Sequence, residues 1–378
     1  MNFAKPVDRK ETYSYKWEKY RGKDILPMWV ADSEFECAEP IKHAVHQRVE
    51  HGVFGYHLPT QYEPANRAVQ RWLADKHDWH IESDWIVWIP GVVPGFNVAS
   101  KAVCEAGDRV LVQTPNYPPL LASPRINGLE GINIPTVMQD GRYTLDFDRL
   151  EEEAKHPNTK LMILCNPMNP VGSVLTESEI ERVRDICVTH NVVLCSDEIH
   201  CDLILDENAK HIPAGRVPEL SNRSVTLMAA SKTFNIAGLG TAFAIIPDKT
   251  LRRRFSQAAL GHLPWVTILG LVATEAALTE CDDWHAAQID YLRANRDYLC
   301  EQINQLPGLS VIPSEATFLA WVDASGLGVD NPMQYFEELG VGPSPGADFG
   351  DKQCVRLNFA CPRTDLEEAV RRLSKGRE

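Results

Sequence analysis

The chain has 378 residues, 44% of them hydrophobic and 24% charged, the balance of a folded globular protein long enough for more than one core-forming unit. A formal net charge of −14 and a pI of about 5.4 exclude nucleic acid and anionic membrane surfaces as expected partners. No segment approaches the roughly 18 continuous apolar residues of a membrane span, and the polar N-terminus has no apolar signal region, so a cytoplasmic protein is expected. Ten cysteines without a CxxC pair, several inside apolar runs, point to reduced core cysteine rather than a disulfide frame. The basic run Arg252–Arg254 reads as a solvated helix face.

Residues 1 to 24 are polar and aromatic, the pattern of an arm lying on a surface. Ile25–Phe35 begins as a short buried segment, and Glu39–His51 forms a helix with Ile41, Ala44, Val45 and Val49 on one face, stopped by Gly52. Phe54-Gly55-Tyr56 is a loop carrying two aromatics. Tyr62–Lys76 reads as a helix and Asp84–Ile89 as a strand leading into Pro90-Gly91-Val92-Val93-Pro94-Gly95, after which Phe96–Cys104 is helical. Such a turn aims backbone N–H groups and a helix dipole at one spot, which suits phosphate; a plain strand-to-helix turn satisfies the same pattern.

From there strands and helices alternate. Continuously apolar runs occur at Arg109–Gln113, Leu161–Cys165, Val192–Ser196, Val225–Ala229 and Thr241–Ile246, with helical runs Leu145–Ala154, Glu177–Thr189 and Lys249–Ala259 among them. Apolar strands without alternation mark a sheet covered on both faces, so an α/β fold is expected. Long helices follow at Thr267–Thr279 and Asp282–Leu306. Ser310–Glu378 then carries two strands, Thr317–Val322 and Cys354–Phe359, and two helices, Pro332–Leu339 and Asp365–Ser374, the outline of a smaller α+β unit.

Ligands of α/β sheets bind beyond the carboxyl ends of the strands. Tyr117, Asn166 and Asn169, Asp197 and Lys232 each follow a predicted strand directly. A poorly solvated lysine can attack an aldehyde, an aspartate can keep a pyridine nitrogen protonated, an aromatic can stack on the ring, and an amide can donate to its phenolate oxygen. Pyridoxal phosphate needs each of these.

The motifs MWVADSEF, FGY, PGVVPG, QTPNYPP, CNPMNPVG, SDEIHCDL, SKTFNIAGL and VRLNFACPR resemble, in order and over nearly the whole chain, those of fold-type I pyridoxal-phosphate enzymes. Within that superfamily they are most similar to the MalY/PatB group of cystathionine β-lyases. The resemblance implies a large domain over 45–281, with a mostly parallel seven-stranded-type sheet covered by helices on both faces. It also implies a smaller domain built from 1–44 and 282–378.

It implies roles as well. Lys232 is the Schiff-base lysine and the base of the reaction, Asp197 the partner of the pyridine nitrogen, Asn169 the donor to the phenolate oxygen and Tyr117 the stacking ring. Gly91, Val92 and Val93 cradle the phosphate with Ser231, and His200 belongs to the cofactor wall. Tyr56 reaches the site of a neighbouring subunit, which makes a homodimer with shared sites, and Arg356 clamps the α-carboxylate of an amino-acid substrate. The activity implied is α,β-elimination from cystathionine or other cysteine S-conjugates, giving thiol, pyruvate and ammonia.

Two features depart from that pattern. Met168 stands in place of an expected histidine and Ser33-Glu34 in place of Met-Asp, changes expected to bear on the substrate side of the pocket. Unlike many aminotransferases, the chain has no phosphate-binding arginine after Lys232 in SKTFNIAGLG and has His200 where they place a tyrosine, a form that favours the lyase group. An aminotransferase is the nearest alternative activity, and a cofactor-binding regulator a more distant one. A Rossmann oxidoreductase fails, because Phe243 occupies the third glycine position of GLGTAF and the run precedes a strand. No metal is expected: neither His43, His46 and Glu50 nor Asp197, His200 and Cys201 has a known ligand spacing.

Overall fold

The computed structural model describes residues 1–377. Its centre is an eight-stranded sheet of β1 (Ile86–Ile89), β2 (Arg109–Thr114), β3 (Glu130–Gln139), β4 (Arg142–Leu145), β5 (Thr159–Cys165), β6 (Val193–Asp197), β7 (Ser224–Met228) and β8 (Ala242–Ile245). The spatial order is β1-β8-β7-β6-β5-β2-β3-β4. Strands β7, β6, β5, β2 and β3 run parallel, whereas β8 is antiparallel to both its neighbours and β4 closes a hairpin with β3.

Successive residues of each central strand feed opposite layers. Val110, Val112, Leu161 and Ile163 pack with Phe96 and Phe255, while Leu111, Met162 and Leu164 pack with Ile180 and Val183. Helices α1 (Val92–Val103), α2 (Glu177–Thr189) and α3 (Lys249–Ala259) supply those partners, α1 and α3 on one face and α2 on the other. This two-sided burial is why the strands read as unbroken apolar runs. The edge hairpin β3–β4 escaped that reading because β3 is mostly exposed and carries Gly131 and Pro135.

After α4 (Ile268–Glu280) and α5 (Asp282–Ile303), a second, antiparallel sheet forms from β9 (Ser310–Val311), β10 (Leu319–Asp323), β11 (Ser344–Pro345) and β12 (Cys354–Asn358), in the order β9-β10-β12-β11. Helix α6 (Arg363–Ser374) packs against α5. The first residues are more than a surface arm. Leu26–Pro27 pairs in parallel with Val341–Gly342, and Phe3, Lys16 and Tyr20 are buried. Lys16 escapes a composition-based reading because its charge is matched inside the protein, by Glu34 Oε1 at 2.6 Å.

Gly270 shows how tightly the segment after SKTFNIAGL is held. A Cβ there would lie 2.8 Å from the Leu239 carbonyl oxygen and collide with Thr241. Alanine ordinarily favours a helix interior by about 1 kcal/mol over glycine. Gly270→Ala should instead destabilise by about 1–3 kcal/mol, read from the midpoint of urea denaturation, because a main-chain carbonyl blocks the added methyl.

Candidate active site

Every sequence-predicted site residue except Tyr56 meets one cavity of about 620 Å³ at the carboxyl ends of the parallel strands. Asp197 ends β6, and Lys232, Asn169 and Tyr117 follow β7, β5 and β2. Gly91, Val92 and Val93 are where β1 gives way to α1, so the unpaired N–H groups of that helix start open onto the same wall as Ser231. Tyr56 is fully exposed, its ring edge-on to Trp265 at 6.2 Å.

Lys232 Nζ donates to the Ala31 carbonyl at 2.6 Å. Burial lowers its pKa to about 8; the Asp32 and Asp197 carboxylates oppose that fall and Arg356 adds to it. Asp197 is buried and its pKa rises to about 7, mainly through loss of water, although the Ile199 N–H donates to Oδ1 at 3.2 Å. His200 goes the other way, to about 3, because burial and the charges of Lys232 and Arg356 disfavour a second proton. It is a neutral imidazole at physiological pH.

Arg356 is buried on β12, and desolvation lowers its pKa to about 10, so it stays charged. Nη1 donates to Asn169 Oδ1 at 2.9 Å, Nη2 donates to the Trp29 carbonyl at 2.7 Å and to Ser344 Oγ at 3.2 Å, and the guanidinium rests 4.6 Å from the Phe349 ring centre. Accepting from Arg356 leaves the amide NH2 group of Asn169 as its remaining donor. Arg356 Nε and His200 Nδ1 are buried and have no hydrogen-bond partner among the described residues.

Motif reading assigned no role to Trp29, although it lies within MWVADSEF, or to Ser344 and Phe349. Trp29 contributes a carbonyl, which leaves no trace in side-chain identity, and Ser344 meets Arg356 only through the antiparallel register of β11 and β12. The departures turn out to lie elsewhere than expected. Met168 is fully buried in the core layer of Leu164 and Val171, and Glu34 is taken up by Lys16, Arg9 and Trp17, so neither meets the cavity.

The metal-ligand sets do not assemble either. His43 is exposed, His46 pairs with exposed Glu50 at 3.2 Å, and Cys201 turns away from Asp197 and His200 toward a second cavity. There His77 and Asp202 come close to it, but Asp202 Oδ1 already takes His77 Nε2 at 2.8 Å and the Trp72 indole N–H at 3.0 Å. Burial keeps the Cys201 thiol protonated.

The chain belongs to the aminotransferase class I and II family, whose model matches residues 29–373. It is 35% identical to cystathionine beta-lyase PatB of Bacillus subtilis over 99% of both chains. Among solved structures it is similar to OvoB, with a TM-score of 0.96 and 44% identity, covering 99% of this chain and 98% of that one. It also matches a PLP-bound C-S lyase from Staphylococcus hominis, with a TM-score of 0.92 and 30% identity over 99% and 97% of the two chains. The expected fold-type I architecture is the observed one. No helix of the described residues is long and apolar enough to cross a membrane.

The position of Asp197 gives a stability prediction. Its folded pKa of about 7 lies above the ordinary 3.8, so the folded chain binds the extra proton and loses stability as pH rises through that window. On the chain freed of bound small molecules, Asp197→Asn should be more stable than the parent at pH 8, by up to about 4 kcal/mol (roughly three pH units at 1.36 kcal/mol each). The advantage should shrink toward pH 5. Thermal melts across pH 5–8 read this directly, and a constant difference would refute it.

Proposed function

We propose that the chain is a pyridoxal 5'-phosphate-dependent carbon–sulfur β-lyase, which cleaves cystathionine and other cysteine S-conjugates to a thiol, pyruvate and ammonia. The observation that carries this reading is the meeting of Lys232, Asp197 and Arg356 on one cavity, in a chain similar along its whole length to cystathionine beta-lyases. The residues fit the cofactor. The α1 start and Ser231 suit its phosphate, the poorly solvated Lys232 its aldehyde, Asp197 its ring nitrogen and the Asn169 NH2 group its phenolate oxygen, with the Tyr117 ring to stack on its face.

Bound pyridoxal phosphate supplies a sink for the electron pair left on the substrate α-carbon when its proton is removed. The protein's part is positioning and proton transfer. Arg356, whose Nε is free, takes the substrate α-carboxylate and orients the amino acid. Lys232, with a pKa of about 8, has a substantial neutral fraction near physiological pH and removes the α-proton at Nζ. Asp197 balances the positive charge of the ring nitrogen, and the neutral His200 adds none. Departure of the β-thiolate leaves an enamine that water converts to pyruvate and ammonia.

On this reading residues 45–281 hold the cofactor, and 1–44 with 282–378 form the smaller domain that brings Arg356. The working unit is a homodimer in which Tyr56 of one copy reaches the phosphate of the other. The exposed apolar side chains Val53, Phe54, Leu260 and Trp265, with Tyr56, support such a face. Ten unpaired cysteines among the described residues suit a cytoplasmic enzyme, and homocysteine released from cystathionine would serve methionine synthesis.

With cystathionine and no keto-acid acceptor, the purified protein should release thiol and pyruvate in equal amounts, and Lys232→Ala should lower that rate by at least about 10³-fold. Product that forms only when an acceptor is added would identify an aminotransferase instead. Mixing inactive Lys232→Ala with inactive Tyr56→Ala and letting the subunits exchange should restore about a quarter of parental activity, since mixed dimers then hold one intact site. Absence of any recovery, with exchange verified, would remove the shared-site arrangement.

A further inference from the structure

The proposed reaction uses two of the cations on the cavity wall, Lys232 and Arg356, and leaves a third, Lys19, without a role. We propose that Lys19 reads a carboxylate on the leaving half of the substrate, so that the preferred conjugates are thioethers whose thiol half ends in a carboxylate. This rests on the lyase reading above.

The placement of Lys19 follows from the short helical turn Tyr15–Glu18, which it closes. Lys16 and Trp17 on that turn face inward, where Lys16 Nζ meets Glu34 Oε1 at 2.6 Å and the Trp17 indole N–H donates to Glu34 Oε2 at 3.0 Å. Tyr15 and Lys19, four residues apart, share the other side, and both line the cavity. Trp29 forms the floor beneath them. The Tyr15 ring lies 4.8 Å from the Trp29 ring and Lys19 Nζ lies 4.9 Å from it, over its face.

That floor is tied to the α-carboxylate clamp. The Trp29 indole N–H donates to the Lys16 carbonyl at 2.9 Å, and the Trp29 carbonyl accepts from Arg356 Nη2 at 2.7 Å. One residue therefore fixes both cations relative to each other, with Arg356 toward the reacting end and Lys19 toward the mouth. A substrate that carries a carboxylate at each end meets a cation at each end.

Lys19 is also able to exchange partners. Its ion pair with Glu337 Oε1 is long, 3.4 Å, at a side chain 31% exposed, and the same oxygen accepts the Tyr20 hydroxyl at 2.5 Å. A pair of that kind holds little free energy, so a substrate carboxylate can compete for the ammonium. Asp348, the remaining charged residue of the wall, is exposed, where water and salt screen its repulsion.

The test compares S-carboxyethyl-cysteine, S-propyl-cysteine and S-aminoethyl-cysteine, which differ only in the charge at the end of the leaving group. The parent enzyme should favour the carboxyethyl over the propyl conjugate about tenfold in kcat/KM, mostly through KM. Lys19→Met should bring that ratio close to one, Lys19→Arg should largely keep it, and Lys19→Glu should shift preference to the aminoethyl conjugate. The ratio cancels any general loss of activity in a variant. Turnover of all three conjugates with a ratio unmoved by Lys19→Met would overturn the assignment of Lys19 and leave the lyase reading standing. Release of pyruvate from none of them by the parent enzyme would overturn both.

Discussion

A charged guanidinium out of water needs acceptors for its donors, and the way the two terminal nitrogens of Arg356 find them ties the molecule together. Its partners come from three places: Asn169 from the loop after β5 of the central sheet, Trp29 from the N-terminal segment, and Ser344 from the strand beside its own. Loss of any one would leave a buried donor unpaired, at a cost of about 1–3 kcal/mol or more for a charged group. The cavity therefore exists only when the N-terminal segment, the central sheet and the second sheet are in register with one another. Nε, in the middle of this arrangement, is left buried without a hydrogen-bond partner among the described residues.

The N-terminal segment carries more of this than its length suggests. Its carbonyls at 29, 30, 31 and 32 accept from Arg356, from Asn358 and from Lys232. Asn235, in the left-handed region at φ 55°, adds donors to Ser33 and Phe35. A segment used through its backbone must be held rigidly, and the ion pairs around it do so: half-buried Arg9 and buried Lys16 on one side, half-buried Asp32 and buried Glu34 on the other. Ser33-Glu34 therefore bears on how the segment is anchored, and neither residue lines the cavity.

What could be read from sequence and what could not follows the same division. Lys232, Asp197, Asn169 and Tyr117 were legible as the lining of one cavity, because each ends or follows a buried strand at the sheet's carboxyl edge. Arg356 was legible as part of VRLNF. Trp29 and Ser344 were not, because their contributions depend on a carbonyl and on strand register. The burial of Lys16 was not legible, because it depends on partners that lie 16 to 18 residues away in the chain. The hairpin β3–β4 was invisible for the opposite reason: it lies at the exposed edge and lacks the apolar run that marks its neighbours.

The loop after β6 shows how one carboxylate among several is kept reactive. Asp197, Glu198 and Asp202 lie within six residues and all three sit at low exposure. Glu198 accepts from His211 Nε2 at 2.7 Å and from the Ala214 N–H at 2.8 Å, and Asp202 accepts from His77 and Trp72, which holds its pKa down at about 2. Both carboxylates are thereby tied up on the side away from the cavity, Asp202 as an anion. Asp197 has a single, longer backbone donor, and its pKa stands near 7. Of the three, only Asp197 borders the cavity. The unequal supply of donors matches that placement: the carboxylate left under-satisfied is the one that faces the cavity, and a cationic partner entering that cavity would lower its pKa and favour the ionised state.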